Sequence, residues 1–234
     1  MTYKVGLLVI ATNKYVDFVS PLWESAKKHF LPGQDVTLFL FTNVIGNIPG
    51  SANTDSNVTR IYQQHMPWPG PTLFRYNVFD SARLELGRMD YLFYCDADML
   101  FVDTVGAEIL SDRVGTIHPG FFDKPRQAFT YETNPASKAC VPPGEGTVYY
   151  AGGFNGGTSM EYLQMCKVLG ERIGDDYKRG VIAVWHDESH MNKYFTENPP
   201  TLSLSPSYCY PESWSIPFTR RLLALDKDHK EMRK

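Results

Sequence analysis

The stretch Met89–Asp103, reading MDYLFYCDADMLFVD, constrains this chain more than any other. Tyr91–Cys95 is an apolar run rich in residues that suit a buried strand, and it is far too short to span a membrane. Asp96 and Asp98 follow at once. On an extended backbone residues two apart point to the same side, so the spacing predicts two carboxylates on one face. Like charges there repel unless something positive stands between them. A divalent cation fits that need, because hard cations prefer carboxylate oxygens. A strand ending in such a pair puts a metal at the carboxyl edge of a sheet, where open α/β sheets take their ligands.

The segments before this stretch supply the sheet. Lys4–Ala11 is an apolar run closed by Thr12-Asn13. Tyr15, Phe18, Val19, Leu22, Ala26 and Phe30 then recur at helical spacing, with Pro21 required in the first turn and Pro32-Gly33 as the stop. Val36–Phe41 reads as a second strand, so the order strand–helix–strand predicts a parallel βαβ unit. Thr59–Tyr62 suits a short third strand. Thr72–Gly87 is expected as one helix with Thr72 as its N-cap. Beyond Asp103, Thr104–Leu110 suits a short helix and Gly115–His118 a strand. From Pro119 to Gly157 the chain is rich in Gly, Pro and aromatics with little periodicity, which predicts a loop-rich, function-bearing region. Thr158–Ile173 reads as a helix, Val181–Phe195 holds a dense polar cluster that is expected to run into another helix, and Thr201–Leu204 reads as a last strand. Residues 1–234 are expected to form one domain, with a nucleotide-binding half at about 1–103 and an acceptor half with a closing tail at 104–234.

Composition narrows the function classes. A net charge of −3 gives no basic face for nucleic acid. No segment reaches the roughly 20 apolar residues of a membrane span. The four cysteines are widely separated and include no CxxC pair, which argues against zinc and for a reduced, cytoplasmic setting.

Three further clusters carry chemistry, each with a plainer reading beside it. Trp185-His-Asp-Glu-Ser-His190 opens a predicted helix. Asp187 and Glu188 are candidate catalytic or binding carboxylates, or simply acidic residues at the positive end of a helix dipole. The spacing of His186 and His190 resembles a zinc site, but Glu does not follow the first His as zinc proteases require. The basic tail Lys227, His229, Lys230 and Arg233 is either a solvated terminus or a lid over an anion such as a diphosphate. Arg75 lies on the helix before the opening strand, as a surface residue or one reaching the metal edge.

Several blocks stand in a distinctive order: Asp90-Tyr-Leu-Phe-Tyr-Cys-Asp-Ala-Asp98, His118-Pro-Gly-Phe-Phe122, Phe129-Thr-Tyr-Glu132, Gly144-Glu-Gly146, Tyr149-Tyr-Ala-Gly-Gly-Phe154, Gly156-Gly157, Trp185 through Phe195, and Leu204-Ser-Pro206. In this order they resemble family 6 of the glycosyltransferases, the family of the histo-blood-group A and B transferases and α-1,3-galactosyltransferase. The resemblance implies an α/β nucleotide-diphospho-sugar transferase fold of the A type, with a Rossmann-like βαβ half. It implies transfer of N-acetylgalactosamine or galactose from UDP-GalNAc or UDP-Gal to the 3-hydroxyl of a galactoside, with the α configuration retained. By the same likeness Asp96 and Asp98 match the Asp-x-Asp pair that holds Mn²⁺ (or Mg²⁺) on the diphosphate. Glu188 matches the carboxylate facing the anomeric carbon. Arg75 and Asp187 match donor-sugar contacts, and Ala11, Tyr15 and Val16 the uridine site. Ala151 and Gly153, with Gly152 between them, match positions that sort the sugar's 2-substituent, and the small Gly153 favours UDP-GalNAc. His118, Thr130 and Trp185 match acceptor contacts. Lys227, His229 and Arg233 match the tail that closes over UDP.

The likeness has departures. The animal enzymes of that family carry a membrane anchor and stem, and this chain is expected to resemble the short microbial members instead. Tyr131-Glu-Thr-Asn134 replaces Tyr-Glu-Arg-Arg, and Tyr210-Pro211-Glu212 replaces an acidic acceptor contact. Both leave the acceptor open. Two other activities are compatible with the same residues: hydrolysis of a UDP-sugar, and carbohydrate binding without catalysis.

Overall fold

The structure is a computed structural model and describes residues 1–228. Strand β1 (Lys4–Ile10) puts Val5, Leu7 and Val9 into one core and Leu8 into another, the period-two alternation of a strand buried on both faces. A 3₁₀ turn at Asn13–Phe18 leads into α1 (Val19–His29), with Pro21 in its first turn as expected. Strands β2 (Asp35–Thr42) and β3 (Val58–Tyr62) extend the sheet in parallel register, and β1 to β2 is the anticipated βαβ unit. Gly6 is bare for a packing reason. A Cβ there would lie 2.7 Å from Leu92 and 3.1 Å from Phe39, whose side chains close over β1.

The helix expected over Thr72–Gly87 is instead three segments, α2 (Gly70–Leu73), α3 (Arg75–Ser81) and α4 (Arg83–Leu86). The breaks fall at Phe74 and Ala82, whose ψ angles of 14° are not helical. Thr72 lies inside α2 and caps nothing. Re-aiming the segments keeps Leu73, Tyr76, Phe79 and Leu86 in a single core, which one straight helix cannot follow along a twisted sheet.

β4 (Tyr91–Cys95) pairs with β1, and the chain then turns at Asp96–Asp98 into β5 (Met99–Phe101). The acidic pair therefore sits on a turn and not on extended backbone. Tertiary bonds hold that turn: Asp96 N–H donates to Gly153 O at 3.0 Å and Leu225 N–H to Asp98 O at 2.9 Å.

After β6 (Arg113–Ile117), the loop-rich region ends earlier than its glycines suggest. Tyr150–Thr158 is a nine-residue strand, β7, paired antiparallel to both β4 and β6. Its glycines answer close packing. A Cβ on Gly156 would lie 2.3 Å from the Phe93 ring. Helices α5 (Ser159–Lys178) and α6 (His186–Glu197) follow, then β8 (Leu202–Leu204). β8 is not the last strand, because β9 (Tyr210–Pro211) and β10 (Leu222–Ala224) form a small sheet with β5.

The main sheet has the order β3-β2-β1-β4-β7-β6-β8 and runs unbroken from the first half of the chain into the second. Only β7 opposes the other six. This reversal brings the amino end of β7 to the edge where β1 and β4 end. Helix α1 covers one face, and α3, α5 and α6 the other. Among the described residues no helix is long and apolar enough to cross a membrane.

Candidate active site

The edge where β1 and β4 end opens into a cavity of about 380 Å³, lined by Thr12, Asn13, Tyr15, His65, Trp68, Arg75, Tyr94, Asp96, Asp98 and Lys227 among others. Next to Arg75 and Asp96 of this lining stands an irregularity in β7. Gly115 pairs with Asn155, yet the next residue, Thr116, pairs with Ala151. Gly152, Gly153 and Phe154 thus have no partner on β6, and the strand bulges. Buried Asn155 secures the bulge by donating to Gly152 O at 3.2 Å, while its own carbonyl accepts from Tyr162.

Arg75 spans the site from below. Its Nη1 donates to Gly152 O at 2.8 Å and lies 3.2 Å from Asp187 Oδ2, and its Nη2 lies 3.4 Å from Asp96 Oδ1. Its guanidinium carbon sits 3.9 Å from the Tyr94 ring centroid. Arg75 is buried, which disfavours its charge, but Asp187, Tyr94 and Asp96 outweigh that and raise its pKa further. The Tyr94 hydroxyl donates to Asp96. One cation thereby ties the end of β4, the β7 bulge and the start of α6.

Glu188 occupies the first turn of α6 with both oxygens held. Tyr149 donates its hydroxyl to Oε1 at 3.0 Å and Gly152 its N–H to Oε2 at 2.8 Å. Burial raises the Glu188 pKa to about 7 against these stabilising bonds. Burial likewise raises Asp187 to about 6, partly offset by Arg75. Asn192, one turn along α6, clamps the helix to β7 by exchanging two hydrogen bonds with the Tyr150 backbone at 2.8 Å each.

On the far side of Glu188 lies an aromatic cluster. Tyr149 meets His118 edge-on at 5.7 Å and Phe121 at 4.8 Å between centroids. His118 is pushed down to about pKa 4 by burial, and its Nδ1 accepts from Gly120 N–H, so the ring is neutral. Thr130 reaches the Tyr149 hydroxyl. Trp185 is half exposed, beside His186, whose ring meets Trp68 edge-on.

The fold thus brings Asp96, Asp98, Arg75, Asp187, Glu188, Gly152 and Gly153 to one edge. His118, Thr130 and Trp185 stand in the neighbouring second half of the chain. Tyr15 lines the cavity, whereas Ala11 and Val16 are buried in the core behind it. Ala151 is buried at the start of the bulge. Lys227 pairs with Asp98 and lies 5.5 Å from the Tyr15 ring centroid, carried there by β10. His229 and Arg233 lie outside the described residues.

Sequence reasoning assigned no role to Tyr94 or Tyr149. Tyr94 stands two residues before Asp96, a spacing that puts both on one side of a strand, so a signal existed. Tyr149 had none, because its partner is 39 residues away.

Asp96 and Asp98 are the residues able to hold a divalent cation. Among the described residues no group of three or more His, Cys, Asp or Glu side chains is arranged for a metal. Two carboxylates suit Mg²⁺ or Mn²⁺ when substrate phosphates complete the shell, since such ions take few protein ligands alongside phosphate oxygens. The donor set fits a cation shared with a diphosphate.

A mixed sheet with an acidic turn at the end of β4, faced across a glycine bulge by a buried carboxylate, defines a nucleotide-diphospho-sugar glycosyltransferase fold of the A type. The sequence model described as "Glycosyltransferase family 6" matches residues 1–234. The chain is 38% identical over 240 residues to histo-blood group ABO system transferase 1 of Rattus norvegicus, covering 98% of this chain and 68% of the relative. It is 33% identical over 237 residues to globoside alpha-1,3-N-acetylgalactosaminyltransferase 1 of Gallus gallus, covering 98% and 69%. The human protein of that name is 32% identical over 231 residues, covering 96% and 67%. The chain belongs to glycosyltransferase family 6 and is a glycosyltransferase.

Proposed function

We propose that this enzyme transfers N-acetylgalactosamine, or galactose, from its UDP-sugar to the 3-hydroxyl of a galactoside acceptor, retaining the α configuration. The observation that carries the reading is the placement of Glu188 across the β7 bulge from Asp96. One carboxylate stands where a sugar carbon would react and the other where a diphosphate would leave. The name of the chicken and human relatives, an α-1,3-N-acetylgalactosaminyltransferase, supports the linkage and the donor.

In this reading uridine and diphosphate enter the cavity past Tyr15, and the sugar lies over Gly152 and Gly153. Arg75 and Asp187 orient it. As the bond from C1 to the diphosphate breaks, positive charge grows at C1, and anionic Glu188 stabilises it or attacks it. The acceptor 3-hydroxyl then bonds to C1 on the face the diphosphate has left, giving its proton to the departing phosphate, and where Glu188 has bonded to C1 that bond breaks as the acceptor adds and the carboxylate is released. Lys227 is close enough to exchange Asp98 for the diphosphate and offset its charge. A Mn²⁺ or Mg²⁺ held by Asp96 and Asp98 would neutralise that leaving group. Trp185, His118 and Thr130 would hold the acceptor galactoside beyond Glu188.

The test is incubation of the purified chain with Mn²⁺, UDP-GalNAc or UDP-Gal and a panel of galactosides, with product linkage read by NMR. An α-1,3-linked product is expected. Free sugar as the sole product, with every acceptor, would establish a hydrolase instead. Saccharide binding indifferent to UDP would establish a binding protein.

A further inference from the structure

Glu132 takes no part in the chemistry proposed above, yet it is buried and joins the two segments that carry the acceptor contacts. Its Oε1 accepts from Asn134 N–H at 2.7 Å, and its Oε2 from Val184 N–H at 2.8 Å, 52 residues along the chain. Its backbone carbonyl accepts from Val141 N–H at 2.8 Å and closes the loop that begins with it. On one side of this carboxylate stand Thr130 and Tyr131, and the Tyr131 ring packs on Tyr149 at 5.2 Å between centroids. On the other side Val184 leads directly into Trp185. The segment that carries Trp185 has little packing to hold it. Among Ile182, Ala183, Val184 and Trp185 only Ala183 is buried, and the other three each expose about half of their surface. Hydrogen bonds place it instead: Val181 N–H donates to Asp176 O at 2.9 Å, Val184 N–H to Glu132, and Trp185 N–H to Ser189 Oγ at 3.0 Å. His186, next along, has a φ of 51°, in the left-handed region that a residue with a side chain rarely adopts. That conformation turns the chain from exposed Trp185 to buried Asp187, and it persists only where the surroundings fix both flanks. Glu132 fixes the flank before it.

We propose that Glu132 is a positioning residue for the acceptor, whose two carboxylate oxygens set the Trp185 segment against the Thr130 segment. The inference rests on the transferase reading above, in which Trp185 and Thr130 hold the galactoside. A carboxylate suits this place because it accepts at both oxygens. The amide of Gln has one oxygen to accept with and an NH₂ that can only donate, so one of the two backbone N–H groups would face a donor. The rest of the site has its own anchors. Glu188 is held by Tyr149 and Gly152, and Asp187 by Arg75. Loosening Glu132 therefore weighs on where the acceptor sits and little on the nucleotide.

The experiment compares the full chain with Glu132→Gln, Trp185→Ala and the double variant. Each is assayed with Mn²⁺ and the donor and galactoside that give the fastest transfer in the panel above, and UDP affinity is measured by calorimetry. Glu132→Gln should raise the acceptor KM by about 10-fold, the loss of one hydrogen bond to a charged group, while kcat and the UDP dissociation constant stay within about 2-fold of the parent. In the Trp185→Ala background the same change should raise KM by less than about 2-fold, because the two residues act through one segment. Equal effects in both backgrounds would show that Glu132 does not act through Trp185 and would overturn the proposal. So would a parallel loss of UDP affinity, the mark of a general support of the fold. In either case a parent that still forms the α-1,3-linked product keeps the transferase reading. A parent that transfers to no galactoside removes both.

Discussion

Tyr149 donates its hydroxyl to Glu188 at 3.0 Å, and Tyr149 is itself walled in by His118, Phe121 and Tyr131. The bond favours the carboxylate form of Glu188 against a burial cost that lifts its pKa to about 7. A hydrogen bond to a charged group contributes about 1.5–3 kcal/mol. Tyr149→Phe should therefore raise the Glu188 pKa further and move the acid limb of the kcat/KM profile to higher pH. An unmoved limb would show that Glu188 is not the group titrating in that profile.

Replacing Glu188 by Gln keeps its size and removes its charge. Gly152 N–H can still donate to the amide oxygen, so the bulge should hold its shape. Turnover is expected to fall by about 100-fold or more, the scale of removing a transition-state charge partner. UDP affinity should be retained, as calorimetry would report. An equal loss of UDP affinity would assign Glu188 to binding instead.

Arg75→Met leaves Asp187 without its guanidinium partner and removes the link to Asp96. Breaking a buried pair from one side costs about 3–5 kcal/mol. The urea midpoint should fall accordingly, and Asp187→Asn added to Arg75→Met should recover part of the loss. A midpoint within error of the parent would mean that water already solvates Asp187.

Buried histidines and buried carboxylates should act on stability in opposite directions over nearly the same pH window. His118 and His190 have folded pKa values of about 4, below the ordinary 6.5, because both are buried. The unfolded chain binds more protons there, so stability rises with pH between those values. Glu188 and Asp187 have folded pKa values raised to about 7 and 6. Their contribution is present below the unfolded carboxylate range and is lost as pH climbs through the folded values. Denaturant melts should show the two tendencies largely cancelling between about pH 4.5 and 6, and Glu188→Gln, which removes one falling contribution, should make stability rise with pH across that range. A slope unchanged from the parent would point to other groups.

Thorough chelation should abolish transfer, and Mn²⁺ should restore it. Asp96→Asn and Asp98→Asn should each raise the Mn²⁺ concentration needed for half-maximal rate. Full activity in chelator would remove the metal from the mechanism and leave Lys227 as the counter-charge at Asp98.

The legible parts of this molecule were those that depend on neighbours in the chain. The run Tyr91–Cys95 declared a buried strand, β1 declared itself as an apolar run and α1 by its helical spacing, and β2 followed as the next strand. The ordered blocks from Asp90–Asp98 through Trp185–Phe195 to Leu204–Pro206 were enough to find the family. What misled was glycine. Gly152-Gly153 and Gly156-Gly157 hid the strand β7, because a strand pressed between two others sheds side chains and with them its periodicity. Thr72–Gly87 had helical spacing throughout, yet two breaks were needed to follow the sheet.

The sequence by itself determined which carboxylates the site could use and that they end a strand and begin a helix. Only the tertiary structure decided how they work together. The reversed direction of β7 brings Gly152 to Arg75 across 77 residues and Tyr149 to Glu188 across 39. Those pairings follow from sheet order and from a bulge held by Asn155, relations between strands that no local spacing encodes. Asp96 and Asp98, first expected on extended backbone, stand on a turn because β7 and the segment after β10 each bond one end of it.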